Sequence, residues 1–197
     1  MGVTFDDTEK KFVFDFEHDN VEDIVSLTGD GYQVEAFGKC FYYGYEFSEQ
    51  VESSVRTAFI KYVKFTDDLQ NTPELTTFIK KAIDNLHKKI NLYNYDIVVM
   101  PESKSKVNQY MLRYIYRFAQ PTLYKMTLVK ALPSNESAEE QALCSMVRQQ
   151  NVLVIDDVTT SGSTLNEVLR TLRILNEDNE ITIFSLIGRK DLMAESI

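Results

Sequence analysis

Between residues 96 and 187 the sequence alternates short apolar runs with amphipathic segments of helical spacing. Apolar runs occupy residues 97–100, 152–155 and 181–187, and polar or turn-forming residues surround each of them. Between the last two runs, apolar side chains recur at helical intervals, as at Leu165 and Leu169. This alternation favours βαβ units, which need a parallel sheet with helices packed against it. The chain is therefore predicted to have an α/β fold.

Residues 1–48 carry a different pattern, rich in aromatic side chains and in turn-forming residues. Residues 11–16 and 32–37 alternate apolar and polar side chains with a period of two, which is typical of antiparallel strands. We expect this segment to form an antiparallel hood on a core domain of residues 49–197.

Two helices are predicted at the start of the core domain. The first follows Ser48, which is placed to cap it, and the second begins at Pro73 after the cap residue Thr72. The apolar face of the second helix is formed by Leu75, Phe78, Ile79, Ala82, Ile83, Leu86 and Ile90. His87 lies off this apolar face and is predicted to be at the surface.

Acidic residues outnumber basic ones, with 30 Asp and Glu against 21 Lys and Arg, which gives a net charge of −9. This balance repels a nucleic-acid backbone and argues against nucleic-acid binding. No segment approaches the roughly 20 apolar residues of a membrane-spanning helix. Acidic residues at the N-terminus argue against a signal peptide, so a cytoplasmic protein is expected, with no membrane association.

The stretch most informative about chemistry is Val152–Thr164, with the sequence VLVIDDVTTSGST. A buried strand delivers Asp156 and Asp157 to its carboxyl end, where ligands bind in open α/β sheets. Small hydroxylated residues follow and lead into a helix, an arrangement that presents N–H groups and hydroxyls to a phosphate. The acids would then face sugar hydroxyls or a divalent cation. Together the residues predict a site for a sugar phosphate, with an unrelated polar strand end as the alternative.

This stretch resembles the signature of the type I phosphoribosyltransferases, which bind PRPP (5-phosphoribosyl 1-diphosphate). The resemblance implies a Rossmann-like parallel sheet and a Mg²⁺-dependent enzyme that transfers 5-phosphoribose to a nucleobase or small amine and releases diphosphate. Asp156 and Asp157 would be the catalytic residues and would hold Mg²⁺, directly or through water. The 5′-phosphate would be held by Thr159, Thr160, Ser161, Gly162, Ser163 and Thr164.

A second segment, Val98–Lys106, is similar to the diphosphate-binding loop of the same family. It follows the first core strand and precedes a helix, and it is most like the amidophosphoribosyltransferase and competence-protein branches. The resemblance implies that the diphosphate is held by Ser103, Lys104, Ser105 and Lys106. Solvated surface lysines are the alternative interpretation of the two cations.

The acceptor and the flexible loop of the family are less clearly marked in this sequence. Residues 132–137, where the family has a loop that closes over PRPP, are short and acidic. That departure motivates an alternative function, a PRPP- or nucleotide-binding regulator with little or no turnover. Tyr43 and Arg189 are the candidates for contacting the acceptor, although the hood aromatics Tyr42, Tyr43, Tyr45 and Phe47 are rather expected to form the core of the hood. The partners implied are PRPP and an unidentified small-molecule acceptor, and the resemblance is compatible with a homodimer.

Overall fold

The computed structural model describes residues 3–6, 11–14, 25–27, 34–36, 39–47, 51–66, 69, 72–101, 105–118, 122–126, 151–160, 162–175 and 180–188. The strands in this part of the chain are β1 (Val3–Asp6), β2 (Lys11–Phe14), β3 (Val25–Leu27), β4 (Val34–Ala36), β5 (Lys39–Phe47), β6 (Ile97–Pro101), β7 (Thr122–Met126), β8 (Asn151–Thr159) and β9 (Glu180–Gly188). The helices are α1 (Ser53–Phe65), α2 (Pro73–Lys89), α3 (Lys106–Ile115) and α4 (Ser163–Leu175), with a 3₁₀ turn at Leu92–Asn94.

A mixed sheet with the strand order β3-β5-β9-β8-β6-β7 forms the centre of the fold. The neighbours from β5 through β9, β8 and β6 to β7 are all parallel. One face of the sheet packs against α1, α2 and α3, and the other packs against α4. Because helices cover both faces, β6 and β8 are buried along nearly their whole length. The predicted α/β fold with a Rossmann-like parallel sheet is confirmed.

The N-terminal strands pair antiparallel, but they do not form one separate layer. β1 pairs with β2 in a two-stranded sheet, whereas β3 and β4 both pair with β5 at the edge of the central sheet. The strand β5 itself runs parallel to β9, so residues 39–47 add a strand to the parallel sheet. The division of the chain at residue 48 stays a prediction, and the placement of β5 in an antiparallel hood is corrected.

The physical reason lies in the aromatic run of β5, which is buried on both faces of the sheet. Phe41 and Tyr43 pack in the cluster on the α4 side, while Tyr45 and Phe47 pack in the cluster formed with α1, α2 and α3. A nearly continuous run of large apolar side chains suits a strand covered on both faces, as in a parallel sheet.

The two helices predicted at the start of the core domain are present, and one of them begins at a different residue. The helix α2 begins at Pro73 after Thr72, as predicted, and six residues of its predicted apolar face are buried. The helix α1 begins at Ser53, so the cap predicted at Ser48 is wrong. The surface position predicted for His87 is also wrong, because its ring is half-buried and lies 4.3 Å from the ring of Phe118.

Helix α2 approaches the sheet closely at Gly44 of β5. The ring of Tyr45 stacks on Phe78 of α2 at 3.6 Å, and the Tyr45 hydroxyl donates to the Phe78 carbonyl oxygen at 2.9 Å. A Cβ atom on Gly44 would lie 2.6 Å from Cβ of Ala82 and 3.1 Å from the carbonyl oxygen of Leu186. Glycine is therefore what allows this helix to pack directly on the strand.

We expect Gly44→Ala to destabilise the protein by about 1–3 kcal/mol, because the added methyl group overpacks the contact with Ala82. Denaturant unfolding monitored by circular dichroism measures the change. Ala82→Gly alone should cost about 1 kcal/mol of helix propensity. The double variant should lose less than the sum of the two single losses, whereas strict additivity would contradict the proposed clash.

Candidate functional site

The carboxyl ends of β6 and β8 lie side by side where the strand order of the sheet reverses. From β6, the next strand β7 lies on one side, whereas β8 and then β9 lie on the other. Val99 pairs with Val154, so Pro101 at the end of β6 is level with Asp156 in β8. Open α/β sheets bind ligands at such a switch point, outside the carboxyl ends of the strands. This edge of the sheet therefore contains the candidate site.

Asp156 and Asp157 occupy the carboxyl end of β8 and are almost completely buried, with 7% and 2% of their surfaces exposed. The backbone N–H of Asp157 donates to Asp156 Oδ1 at 2.9 Å, and that of Val158 donates to Asp157 Oδ1 at 2.6 Å. In the described part of the chain, Asp157 Oδ2 is buried and has no hydrogen-bond partner. Carboxylate oxygens held in this way suit hydroxyl groups or a hard cation.

Burial raises the pKa of Asp156 to about 7, and the neighbouring charge of Asp157 adds to the increase. Three groups act in the opposite direction and lower the pKa: the backbone N–H of Asp157, the ammonium group of Lys64 and the side-chain amide of Asn108. Desolvation is the largest effect, so ionisation of this carboxyl group is costly unless a ligand or cation provides compensating charge. The site is therefore built to receive positive charge or hydrogen-bond donors.

The loop after β8 leads directly into the N-terminus of α4. Gly162 has a φ angle of 72°, in the region that favours glycine, and its carbonyl oxygen accepts the first helical hydrogen bond from Asn166 N–H at 2.8 Å. Thr160 and Thr164 are half-buried, and Ser163 is exposed. The first turn of α4 carries no acidic residue, so the partial positive charge of the helix end is not neutralised there. These features suit the binding of a phosphate group.

Thr159 is placed differently from the other residues predicted to hold the phosphate. It has only 2% of its surface exposed, and its hydroxyl donates to Ser185 Oγ at 2.9 Å. Ser185 in turn donates to the carbonyl oxygen of Ile187 at 3.1 Å. The side chain of Thr159 thus joins β8 to β9, and the structure does not bring it together with the loop residues.

The segment between β6 and α3 ends in a capped helix start. Ser105 is buried, and its Oγ accepts a hydrogen bond from the backbone N–H of Val107 at 3.3 Å. Lys106 is the first helical residue and is exposed. Both residues lie next to the switch point, so the structure brings this end of the predicted diphosphate loop to the same edge as Asp156.

Several predicted features lie outside the described residues. Among the predicted site residues these are Ser103, Lys104, Ser161 and Arg189. The short acidic segment 132–137 also lies outside them. The predicted roles of all five stay predictions.

Tyr43 does not occupy an accessible position in the structure. It has 1% of its surface exposed, and its ring lies 5.8 Å from that of Phe41 in the core. A Cβ atom on Gly188 of β9 would lie 2.7 Å from Cγ of Tyr43, so the two strands enclose this ring closely. The predicted contact between Tyr43 and an acceptor would need this packing to open.

Two residues near the acids were not found from the sequence. Lys64, in the last turn of α1, is half-buried, and its positive charge acts to lower the pKa of Asp156. Asn108 is completely buried on the face of α3 that also carries Met111 and Ile115. The signal that could have identified Asn108 in the sequence is a polar residue at helical spacing within an apolar face.

A family model described as the phosphoribosyl transferase domain matches residues 65–192, more than half of the 197-residue chain. The matched range contains β6, β8, α4 and β9, and hence both sides of the candidate site. The chain belongs to the phosphoribosyl transferase domain family, which confirms the resemblance seen in its sequence.

Solved structures that are similar to part of the chain are also phosphoribosyltransferases. A hypoxanthine-guanine-xanthine phosphoribosyltransferase is 11% identical with a TM-score of 0.43, over 60% of this chain and 64% of that one. A hypoxanthine phosphoribosyltransferase from Staphylococcus aureus is 14% identical with a TM-score of 0.44, over 64% of this chain and 74% of that one. A purine phosphoribosyltransferase from Pyrococcus horikoshii is 16% identical with a TM-score of 0.38, over 58% of this chain and 84% of that one.

Among the curated proteins, none matches the chain. In the described ranges, no helix has both the length and the apolar character that crossing a bilayer requires.

The raised pKa of Asp156 predicts a specific dependence of stability on pH. The folded state holds the proton more tightly than the unfolded state, so stability should fall as the pH rises from about 4 to about 7 and then level off. Asp156→Asn keeps the shape and the hydrogen-bond acceptor but cannot ionise. We expect this variant to be more stable than the wild type above pH 7, by on the order of 2–4 kcal/mol.

Urea unfolding at about pH 5.5 and about pH 8 measures this difference. Asp96→Asn is the matched control, because it removes one negative charge from an exposed position before β6. It should retain the wild-type dependence on pH. Equal stability gains at both pH values for Asp156→Asn would contradict the buried, proton-linked state of this residue.

Proposed function

We propose that the protein is a phosphoribosyltransferase that binds PRPP with Mg²⁺ and transfers 5-phosphoribose to a nucleobase or small amine, releasing diphosphate. The observation that carries this proposal is the placement of the buried pair Asp156 and Asp157 beside the unneutralised N-terminus of α4 at the switch point of the sheet. A ligand with hydroxyl groups at one end and a phosphate at the other fits that arrangement.

In the proposed complex the 5′-phosphate lies at the start of α4. Backbone N–H groups of the first helical turn and the hydroxyls of Thr160, Ser163 and Thr164 would donate to its oxygens, and Gly162 allows close approach. Asp156 and Asp157 would accept hydrogen bonds from the ribose hydroxyls. The diphosphate would extend toward the β6–α3 loop, where Lys104 and Lys106 supply positive charge.

The carboxyl pair is also suited to hold Mg²⁺, directly or through water. Magnesium takes oxygen ligands and normally keeps several waters and substrate oxygens, so two carboxylates are sufficient from the protein. Asp157 Oδ2, buried and without a hydrogen-bond partner in the described part of the chain, is an available ligand atom. When bound, Mg²⁺ would neutralise charge on the diphosphate and so make it a better leaving group.

In the proposed reaction the bond between the anomeric carbon and the diphosphate oxygen breaks, and a bond to the acceptor nitrogen forms. The electron pair of the broken bond leaves with the diphosphate, and the acceptor loses a proton to base or solvent. Positive charge develops on the ribose ring, as in glycoside chemistry. The buried carboxylates Asp156 and Asp157 would stabilise that charge, and their low exposure strengthens the effect.

The alternative function is a PRPP- or nucleotide-binding regulator with little or no turnover. It is favoured by the acidic character of residues 132–137, which contain no basic residue to close over a diphosphate. The homodimer and the cytoplasmic location expected from the sequence remain part of the proposal.

We expect Mg²⁺ and PRPP to bind with micromolar affinity in calorimetric titration. Asp156→Asn/Asp157→Asn should weaken binding by at least about tenfold, because charged hydrogen bonds contribute about 1.5–3 kcal/mol each. Asp96→Asn is the control for the loss of a negative charge and should bind like the wild type.

Diphosphate release in the presence of purines, pyrimidines, orotate or small amines then separates the two functions. Turnover with one of these acceptors would establish the transferase. Binding without turnover would favour the regulator. Absence of PRPP binding would contradict the transferase, and it would contradict the regulator as well if nucleotides also fail to bind.

The two threonines at the ends of the loop should have separable roles. Thr164→Val keeps the shape but removes the hydroxyl, and we expect PRPP affinity to fall roughly 10-fold with little change in stability. Thr159→Val instead breaks the bond to Ser185 and should cost about 0.5–1.5 kcal/mol of stability, with PRPP affinity retained. Thermal unfolding and calorimetry on both variants measure the effects, and the reverse pattern would place the phosphate at Thr159.

A further inference from the structure

Asn108 is a buried polar residue with unsatisfied hydrogen-bonding groups. It has 0% of its surface exposed, and neither amide atom has a hydrogen-bond partner in the described ranges. Buried polar groups normally have partners, and an amide left without them is costly. The neighbouring positions on the same helix face, Met111, Leu112 and Ile115, are buried and apolar. An apolar side chain would therefore serve the packing of α3 better than Asn108 does.

Helix capping does not explain this asparagine. The start of α3 is capped by Ser105, which accepts from the N–H of Val107. Asn108 is the third residue of the helix, and its side chain takes no part in that capping hydrogen bond.

The position of Asn108 relative to the carboxyl pair does explain it. Helix α3, which carries Asn108, packs on β8, and the Asn108 amide lies near the carboxyl group of Asp156 in that strand. The two groups nevertheless form no hydrogen bond of good geometry. Beside them, Asp157 Oδ2 is a second buried polar atom without a partner in this part of the structure. Hydrogen bonds in ligand-free sites are often poorly aligned and tighten when the substrate binds.

We propose that Asn108 is a positioning residue, whose amide completes a hydrogen bond to Asp156 when ligand binds and so fixes the carboxylate that faces the ribose hydroxyls. This inference rests on the proposed function of the site, but it assigns a role to a residue of α3 outside both binding loops. It also explains why an amide is retained among apolar neighbours.

Asn108→Leu tests the inference, because leucine has a similar size and suits the apolar surroundings. We expect the variant to remain folded, with a thermal midpoint within about 5 °C of the wild type. Its affinity for PRPP with Mg²⁺ should fall roughly 5–30-fold by calorimetry. Asn85→Leu, the same exchange in the half-buried part of α2, is the matched control and should retain wild-type affinity.

A double-mutant cycle with Asp156→Asn separates positioning from a merely structural role. If Asn108 acts through Asp156, Asn108→Leu should cause less than about twofold further loss of PRPP affinity in the Asp156→Asn background. An equal loss in both backgrounds, or unchanged affinity in the single variant while the wild type binds PRPP, would overturn the inference and leave the proposed function standing.

If the wild type binds no PRPP, the proposed function fails. A double-mutant cycle on the free energy of unfolding, with the same variants, then tests the contact between Asn108 and Asp156. Asn108→Leu should then destabilise the protein less, or stabilise it more, in the Asp156→Asn background than in the wild type. The difference should be at least about threefold in the equilibrium constant of unfolding. Additive effects would overturn the contact between Asn108 and Asp156. Coupling of the expected sign would support a positioning role toward another ligand of the carboxyl pair.

Discussion

The burial of two adjacent carboxyl groups at the end of β8 is the constraint on which the site depends. Asp156 and Asp157 are shielded from water because the parallel sheet and the helices on its faces enclose them. That burial raises the pKa of Asp156, and backbone N–H groups within the strand compensate only part of the cost. The fold therefore keeps charge in an environment of low dielectric, where an arriving cation or hydroxyl group interacts strongly.

Much of the fold was predictable because local pattern determines it. The apolar run of β8 and the helical spacing of α2 each specify an element without reference to distant residues. The partner of β5 was not predictable in this way, since Cys40 pairs with Thr182 far along the chain. Its aromatic run is compatible with a hood and with a parallel strand covered on both faces, and only the pairing decides between them.

The same distinction applies to the candidate site. The order of acids, loop and helix start is contiguous in sequence, so the positions of Asp156 and Gly162 followed from it. Thr159 looked like another loop hydroxyl, but its partner Ser185 comes from a different strand. Asn108 looked like an ordinary helix residue, and its meaning depends on α3 packing against β8. Residues whose roles arise from contacts between distant elements cannot be assigned from local spacing alone.

The strand β9 connects the site to the aromatic part of the sheet. Ser185 accepts a hydrogen bond from the Thr159 hydroxyl. The ring of Tyr43 on β5 packs against Gly188, where a Cβ atom would clash with it. Since β9 lies between β8 and β5, the position of the acid pair relative to the aromatic core is fixed by hydrogen bonds on one side and close packing on the other. A rigid frame of this kind leaves the ligand-binding groups, rather than the strands that carry them, to respond when a charged substrate binds.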